Sequence, residues 1–188
     1  MNRYGFCHYA GGLAEPRIDL TPKETNMKLE SLRDLLIEQI QDLYDAEHRI
    51  TKALPKMAKA ATSPELKAAF EKHLKETEGQ IGRLEQAFEA LGEKAKKKTC
   101  QAIKGLIEEG EETIKEDAEP EVKDAALIAA AQRVEHYEMA GYGSMSAYAK
   151  LLGEKTVLKL LQATLAEEKA TDQALSELAE STINLEAV

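Results

Sequence analysis

The sequence predicts an all-α fold: a four-helix bundle of two antiparallel hairpins, with a long crossover that carries an additional shorter fifth helix. Three observations predict it. Ala, Leu, Glu and Lys dominate a chain that is 43% hydrophobic, 31% charged and only 5% aromatic, with no Trp, and that composition favours helix throughout. Apolar residues recur at alternating steps of four and three along four long stretches, the repeat of a bundle seam. The breaks between these stretches are short, long, short.

The 188 residues suit one domain with one core. We expect a disordered leader over residues 1–28, a helical domain over 29–180 and a fraying tail over 181–188. The leader has Gly-Gly, Pro and mixed polarity but no continuous apolar run, so it does not read as a secretory signal. Met27 opens the first periodic segment and competes with Met1 as the natural start.

The first helix is expected over 29–60, with Leu36, Ile40, Leu43, Ile50 and Leu54 on its seam. Pro55 should kink this helix rather than end it, because "KMAKAA" keeps a helical composition. "ATSPEL" then stops and restarts the chain, with Ser63 as N-cap and Pro64 in the first turn. The second helix is expected over 64–91, with Leu66, Phe70, Leu84, Ala87 and Leu91 on its seam and Gly92 as its stop.

A basic cluster at 94–98, read as a solvated loop, precedes a shorter amphipathic helix over 100–116. A break follows at Pro120. The third long helix is expected over 122–152, ended by Gly153, and the fourth over 154–178. Short turns make each pair a hairpin, while the connection between pairs is long enough to travel the length of the bundle. Two hairpins and one crossover form the ferritin-like arrangement.

A net charge of −9 argues against binding nucleic acid or an anionic membrane, both negative themselves. It does not argue against cations. No apolar run reaches the length needed to span a bilayer. Cys7 and Cys100 are isolated and give neither a disulfide framework nor a zinc spacing, so a reducing, cytoplasmic setting is expected.

Each seam, extended through its middle, meets acids. On the first helix Glu47 takes the vacant core position. On the second, His73, Thr77 and Gln80 lie on the seam, with Glu76 one turn from His73 and Gln80. On the third, Leu127, Ala131, Val134 and Met145 place Glu138 on the seam with Glu135 beside it. On the fourth, Val157, Leu161, Thr164, Leu175 and Leu178 place Glu168 there, and Asp172 follows one turn later. Buried unpaired carboxylates cost several kcal/mol and repel one another. Four such insertions at matched depth call for shared positive charge, and two cations would supply it. Mid-bundle di-iron and di-manganese sites are built this way.

Each residue taken singly has a blander reading. Glu76 could pair with Gln80 or Lys72, Glu167 could face inward in place of Glu168 or Asp172, and His73 could be a packed histidine. His48 and His136 project about 100° away from the acids next to them and read as surface residues or outer neighbours of the site. Tyr44, Tyr137 and Tyr142 read as packing groups and Cys100 as a small buried hydrophobe. The coincidence on four helices is what favours metal.

The motifs "LYDAEHRI", "FEKHLKETEGQIGRLE", "KTCQAIKGLIEEGEE", "DAALIAAAQRVEHYEMAGYG" and "LAEEKATDQAL", in that order, resemble the YciF/YciE-like ferritin-like family of bacterial stress-associated proteins. The resemblance covers about residues 29–178, and no single motif carries it. It implies a ferritin-like domain with a fifth helix, a di-metal centre and a homodimer. Glu47, His73, Glu76, Glu135, Glu138 and Glu168 match the positions expected to face the metals, with Asp172 or Glu167 completing the set. The wider ferritin-like pattern has Glu-x-x-His on the second and fourth helices. Here the second reads His73-x-x-Glu76, and the fourth has Glu168 and Asp172 but no His. That oxygen-rich set leaves iron and manganese open, and no rubredoxin-like cysteine cluster accompanies it.

The functional expectation is a cytoplasmic di-iron or di-manganese protein that reacts with peroxide or oxygen, or oxidises Fe(II). Glu76 and Glu168 would bridge the metals, and Glu47, His73, Glu135, Glu138 and Asp172 would be terminal ligands. The rival is a metal-free, non-catalytic dimerisation or scaffold module of the stress response.

Overall fold

The structure, a computed structural model, describes residues 29–188. The expected leader, Cys7 and the alternative start at Met27 lie outside the described residues. Helix α1 spans Leu32–Ala60. Its cap is Ser31, whose Oγ accepts from the Asp34 amide at 3.1 Å and satisfies one of the orphan donors of the first turn. The stripe Leu36, Ile40, Leu43, Ile50 and Leu54 is buried, and the helix runs on past Pro55 to Ala60.

The turn into α2, Pro64–Ala90, uses the expected devices. Ser63 Oγ accepts from the Leu66 amide at 3.2 Å and Pro64 opens the helix. A residue on the other hairpin locks this corner. Asp124 accepts from the Thr62 amide at 2.8 Å, the Thr62 hydroxyl at 2.7 Å and the Ser63 amide at 2.6 Å. Its carboxylate is 1% exposed yet fully engaged.

The crossover holds α3, Gln101–Lys115, and leads to α4, Pro120–Leu152. The expected break falls at 116–119, and Pro120 itself is the first residue of α4, because a first-turn proline loses no intrahelical bond. The basic stretch is only partly a solvated loop. Lys94, Lys96 and Lys97 are exposed, but the Lys98 amide donates to Gln41 O at 3.1 Å and its ammonium to Glu38 at 2.6 Å. These bonds pin the crossover along α1. Gly92 and Gly153 end α2 and α4 with φ of +71° and +76°, a left-handed conformation that costs little only without a Cβ.

Helix α5, Lys155–Leu178, does not give way to a fraying tail. It continues through a π turn, Ala179–Ile183, and a last helical turn, α6, Asn184–Glu186. The Asn184 amide reaches back to Ala179 O, and Ala179 and Ile183 are buried on the α4 side. Burial of these two apolar side chains outweighs the tendency of a terminus to unwind.

Each long helix packs on two others in the cyclic order α1, α2, α5, α4. Helices on a diagonal therefore meet through side chains at the centre. Helix α3 lies against both α1 and α4 and roofs the groove between them. Among the described residues no helix is long and apolar enough to cross a membrane.

Candidate metal centre

The bundle's middle is where the seams bring their acids. Glu47 on α1, His73 on α2, Glu135 and Glu138 on α4 and Glu168 on α5 are each 3% exposed or less. One donor atom from each of His73, Glu135, Glu138 and Glu168 lies within 4.8 Å of the other three. His73 Nε2 is 3.2 Å from Glu135 Oε1 across the diagonal, within ion-pair reach. Apart from this contact, neither ring nitrogen has a partner.

Close approach of α4 to α1 helps assemble this set. A Cβ on Gly141 would sit 2.9 Å from Leu43 Cδ1, so a larger residue would have to displace the buried Leu43 side chain one turn before Glu47. Next to Gly141, Tyr142 is fully buried and its hydroxyl donates to Glu47 Oε1. In sequence alone Tyr142 reads as a packing group. Its position one turn after Glu138 was the available signal, but a tyrosine on an apolar helix is usually core.

The structure brings together Glu47, His73, Glu135, Glu138 and Glu168, and places Glu76 at their edge. Glu76 Oε1 accepts from Lys72 at 2.6 Å, whereas its Oε2 is buried without a partner. Glu168 faces inward. Glu167 faces Arg83, which grips it through two nitrogens at 2.7 and 2.5 Å, and Gln80 adds a bond at 3.2 Å. Asp172 stays apart. It accepts from Gln132 at 3.1 Å and lies 3.4 Å from the exposed His136. One helical turn beyond Glu168, its shorter side chain meets the rim of the α4–α5 contact before it reaches the centre.

The remaining polar candidates have partners of their own. His48 Nδ1 is 2.8 Å from Tyr44 O. Cys100 is buried, with its amide on Asp45 at 2.9 Å and its sulfur 3.2 Å from the Tyr137 hydroxyl, which donates to Asp42 at 2.6 Å. Burial pushes that thiol up, so it stays protonated and unreactive.

Burial also governs the acids at the centre. Desolvation lifts Glu47 to about 7, against the hydrogen bond from Tyr142, and lifts Glu168 to about 11. Desolvation and then the charges of Glu47 and Glu168 raise Glu138 well above the carboxylate range. For His73, desolvation pulls down but the neighbouring Glu135 carboxylate overrides it, and the net direction is up. Charge in this pocket is expensive for the protein alone.

These residues fit a cation. Among the described residues, eleven buried side-chain nitrogen and oxygen atoms lack a hydrogen-bond partner, and nine belong to Glu47, His73, Glu76, Glu135, Glu138 and Glu168. Native proteins satisfy nearly all such groups, as this chain does at Asp124. Carboxylate oxygens with one imidazole are donors for hard or borderline divalent ions, and the cluster could hold a metal.

Comparison with known proteins agrees with the fold and the motifs. A domain of unknown function, DUF892, matches residues 31–188. The chain is 46% identical over 162 residues to protein YciF of Escherichia coli K12, covering 86% of this chain and 98% of YciF. The crystal structure of that E. coli stress protein superposes with a TM-score of 0.80 at 46% identity, over 83% of this chain and 99% of YciF. YcfI of Rhodopseudomonas palustris superposes with a TM-score of 0.78 at 45% identity, over 80% of this chain and 96% of YcfI. A Xanthomonas campestris protein, 22% identical, shares the fold with a TM-score of 0.67, over 82% of this chain and 95% of its own. The fold is thus a ferritin-like helical bundle, and the chain belongs to the DUF892 family of YciF-like proteins.

Proposed function

We propose that this protein holds a pair of divalent metal ions, iron or manganese, at the middle of its bundle, and that the centre reacts with peroxide or oxygen or oxidises Fe(II). One observation carries the reading: among the described residues, nine buried donor atoms on six residues of four helices have no hydrogen-bond partner. Uncompensated carboxylates at this burial would each cost several kcal/mol, and shared cations remove that cost.

His73, Glu135, Glu138 and Glu168 would hold one ion between them, since their donor atoms already converge. Glu47 and the inward oxygen of Glu76 would extend the site to a second, with Glu168 and Glu76 as bridges. Held by these residues, a pair of redox-active ions would supply two electrons to an O–O bond, one from each ion as it becomes trivalent, and turnover would require an external electron donor to restore them. Tyr142 holds Glu47 in place through its hydroxyl. The apolar wall around the acids excludes bulk water.

Asp172 is no part of this ligand set, because Gln132 and His136 engage it outside the cluster. From the YciF resemblance the proposal also takes a homodimer, a cytoplasmic setting and a role in stress, the word attached to E. coli YciF.

Metal analysis of protein purified without chelator tests the reading. About two equivalents of iron or manganese per chain are expected, followed by metal-dependent consumption of peroxide or oxygen after anaerobic Fe(II) loading. No metal, even after reconstitution, would favour a scaffold whose core acids are simply protonated.

A further inference from the structure

The groove that α3 roofs is not filled. A cavity of about 30 Å³ lies between α1, α3 and α4, room for one or two water-sized molecules. Ala53 and Leu54 of α1 and Ala131 and Val134 of α4 form its walls, and Ile107 and Gly110 of α3 its roof. His73 and Glu135, both members of the acid cluster, form its inner end. At its mouth Lys56 and Glu111 join α1 to α3 through an ion pair at 2.5 Å.

Two features set the chemistry of what could occupy this space. Apart from His73 and Glu135 inside and Lys56 and Glu111 at the mouth, all its lining residues are apolar or glycine. A molecule in transit finds no hydrogen-bond partner along the walls, so a polar occupant such as hydrogen peroxide would lose its hydration without replacement. Gly110 is the second feature. It is buried in the interior of α3, where glycine is a poor helix residue, and a Cβ there would meet only Ala130 Cβ at an ordinary 4.0 Å. Neither the backbone nor packing requires a glycine at this position. What the missing side chain does is leave the passage open.

We infer that this apolar passage beneath α3 admits dioxygen to the acid cluster from the His73–Glu135 side, with Gly110 as the position that keeps it open. The inference rests on the metal reading for what oxygen would meet, but the passage has a readout of its own. Xenon binds dry apolar cavities, and it does so with or without metal.

Crystals of the full-length protein pressurised with xenon should show an anomalous peak between Ala53, Ile107 and Ala131. Gly110→Leu should remove the peak and Gly110→Ala should leave it weakened. In stopped-flow mixing of Fe(II)-loaded protein with oxygen, Gly110→Leu should slow oxidation by about tenfold or more at unchanged iron stoichiometry, with Gly110→Ala between it and the wild type. An empty passage under xenon overturns the inference. So does an unchanged oxygen rate in the Gly110→Leu protein once its xenon peak is gone. Xenon bound in a protein that takes up no metal would bear out the cavity and overturn the metal reading instead. If Gly110→Leu does not fold, Gly110→Ala carries the same comparison, and an oxygen rate equal to wild type despite a weakened peak counts against the passage.

Discussion

His73 and Glu135 face one another across the diagonal of the bundle, with Nε2 and Oε1 3.2 Å apart and both side chains all but closed to solvent. They belong to α2 and α4, helices that are not packed neighbours. Their meeting is therefore set by the whole ring of four helices, and every acid at the centre shares that dependence. The consequences can be measured.

Removing core acids should separate metal binding from folding. Glu47→Ala with Glu138→Ala takes away two carboxylates whose outward bonds amount to one, from Tyr142. Metal content should fall to about a tenth or less. The metal-free protein should still fold, because removing two partnerless buried acids offsets part of the cost of the cavities that Ala leaves and of the stranded Tyr142 hydroxyl. Metal titration and denaturant melts check both. Full metal content in the double variant would contradict the ligand assignment.

Asp124 makes the opposite forecast. It is buried as deeply as Glu138 but accepts from two amides and a hydroxyl. Asp124→Ala should cost about 2–4 kcal/mol, since it strands two amide donors at the α1–α2 corner. Metal affinity should barely change. A neutral effect in urea denaturation would mean that the corner is held by other contacts.

The neighbours Glu167 and Glu168 should behave differently. Glu168→Gln should weaken metal binding by about tenfold or more, because its oxygens have no other partner. Glu167→Gln removes a partly exposed pair with Arg83, worth about 1 kcal/mol at most after solvent screening, and should keep the metal. Equal effects of the two on metal stoichiometry would show that the inward assignment is wrong.

The metal-free protein should become less stable as pH rises from about 5.5 to about 8. Folding raises Glu47 from 4.5 to about 7 and Glu168 from 4.5 to about 11, so the folded state binds more protons than the unfolded one. Stability then falls with pH by about 1 kcal/mol per unit for each group still titrating. Glu47 ceases to contribute above about 7, while Glu168 continues toward about 11. His73, also raised, adds to the fall as it deprotonates. Metal should flatten or reverse the trend, because binding displaces these protons. Thermal melts with and without chelator across this range decide it, and a metal-free protein that gained stability with pH would refute the protonated cluster.

Much of this molecule is legible in its order of residues. Seam periodicity, Ser63 with Pro64, and the glycines at 92 and 153 specify four long helices and their turns, because these signals act within a few residues. Matched depth of the acids on four seams points to the same centre. Neighbours one position apart are harder. Glu167 and Glu168 look alike in sequence, and only the position of Arg83 across the α2–α5 contact shows which turns outward. Asp172 carries the right period and chemistry, yet Gln132 and the rim of α4 hold it off.

Other features belong to the tertiary structure alone. The Tyr142–Glu47 bond joins residues 95 apart in sequence, and the burial of Ile183 that prolongs the last helix depends on α4 being alongside. The passage beneath α3 arises only where three helices fail to fill the space between them. Local preference shapes each helix within its own turns. Which side chains lose their water, and so which of them could hold a cation, depends on how those helices pack.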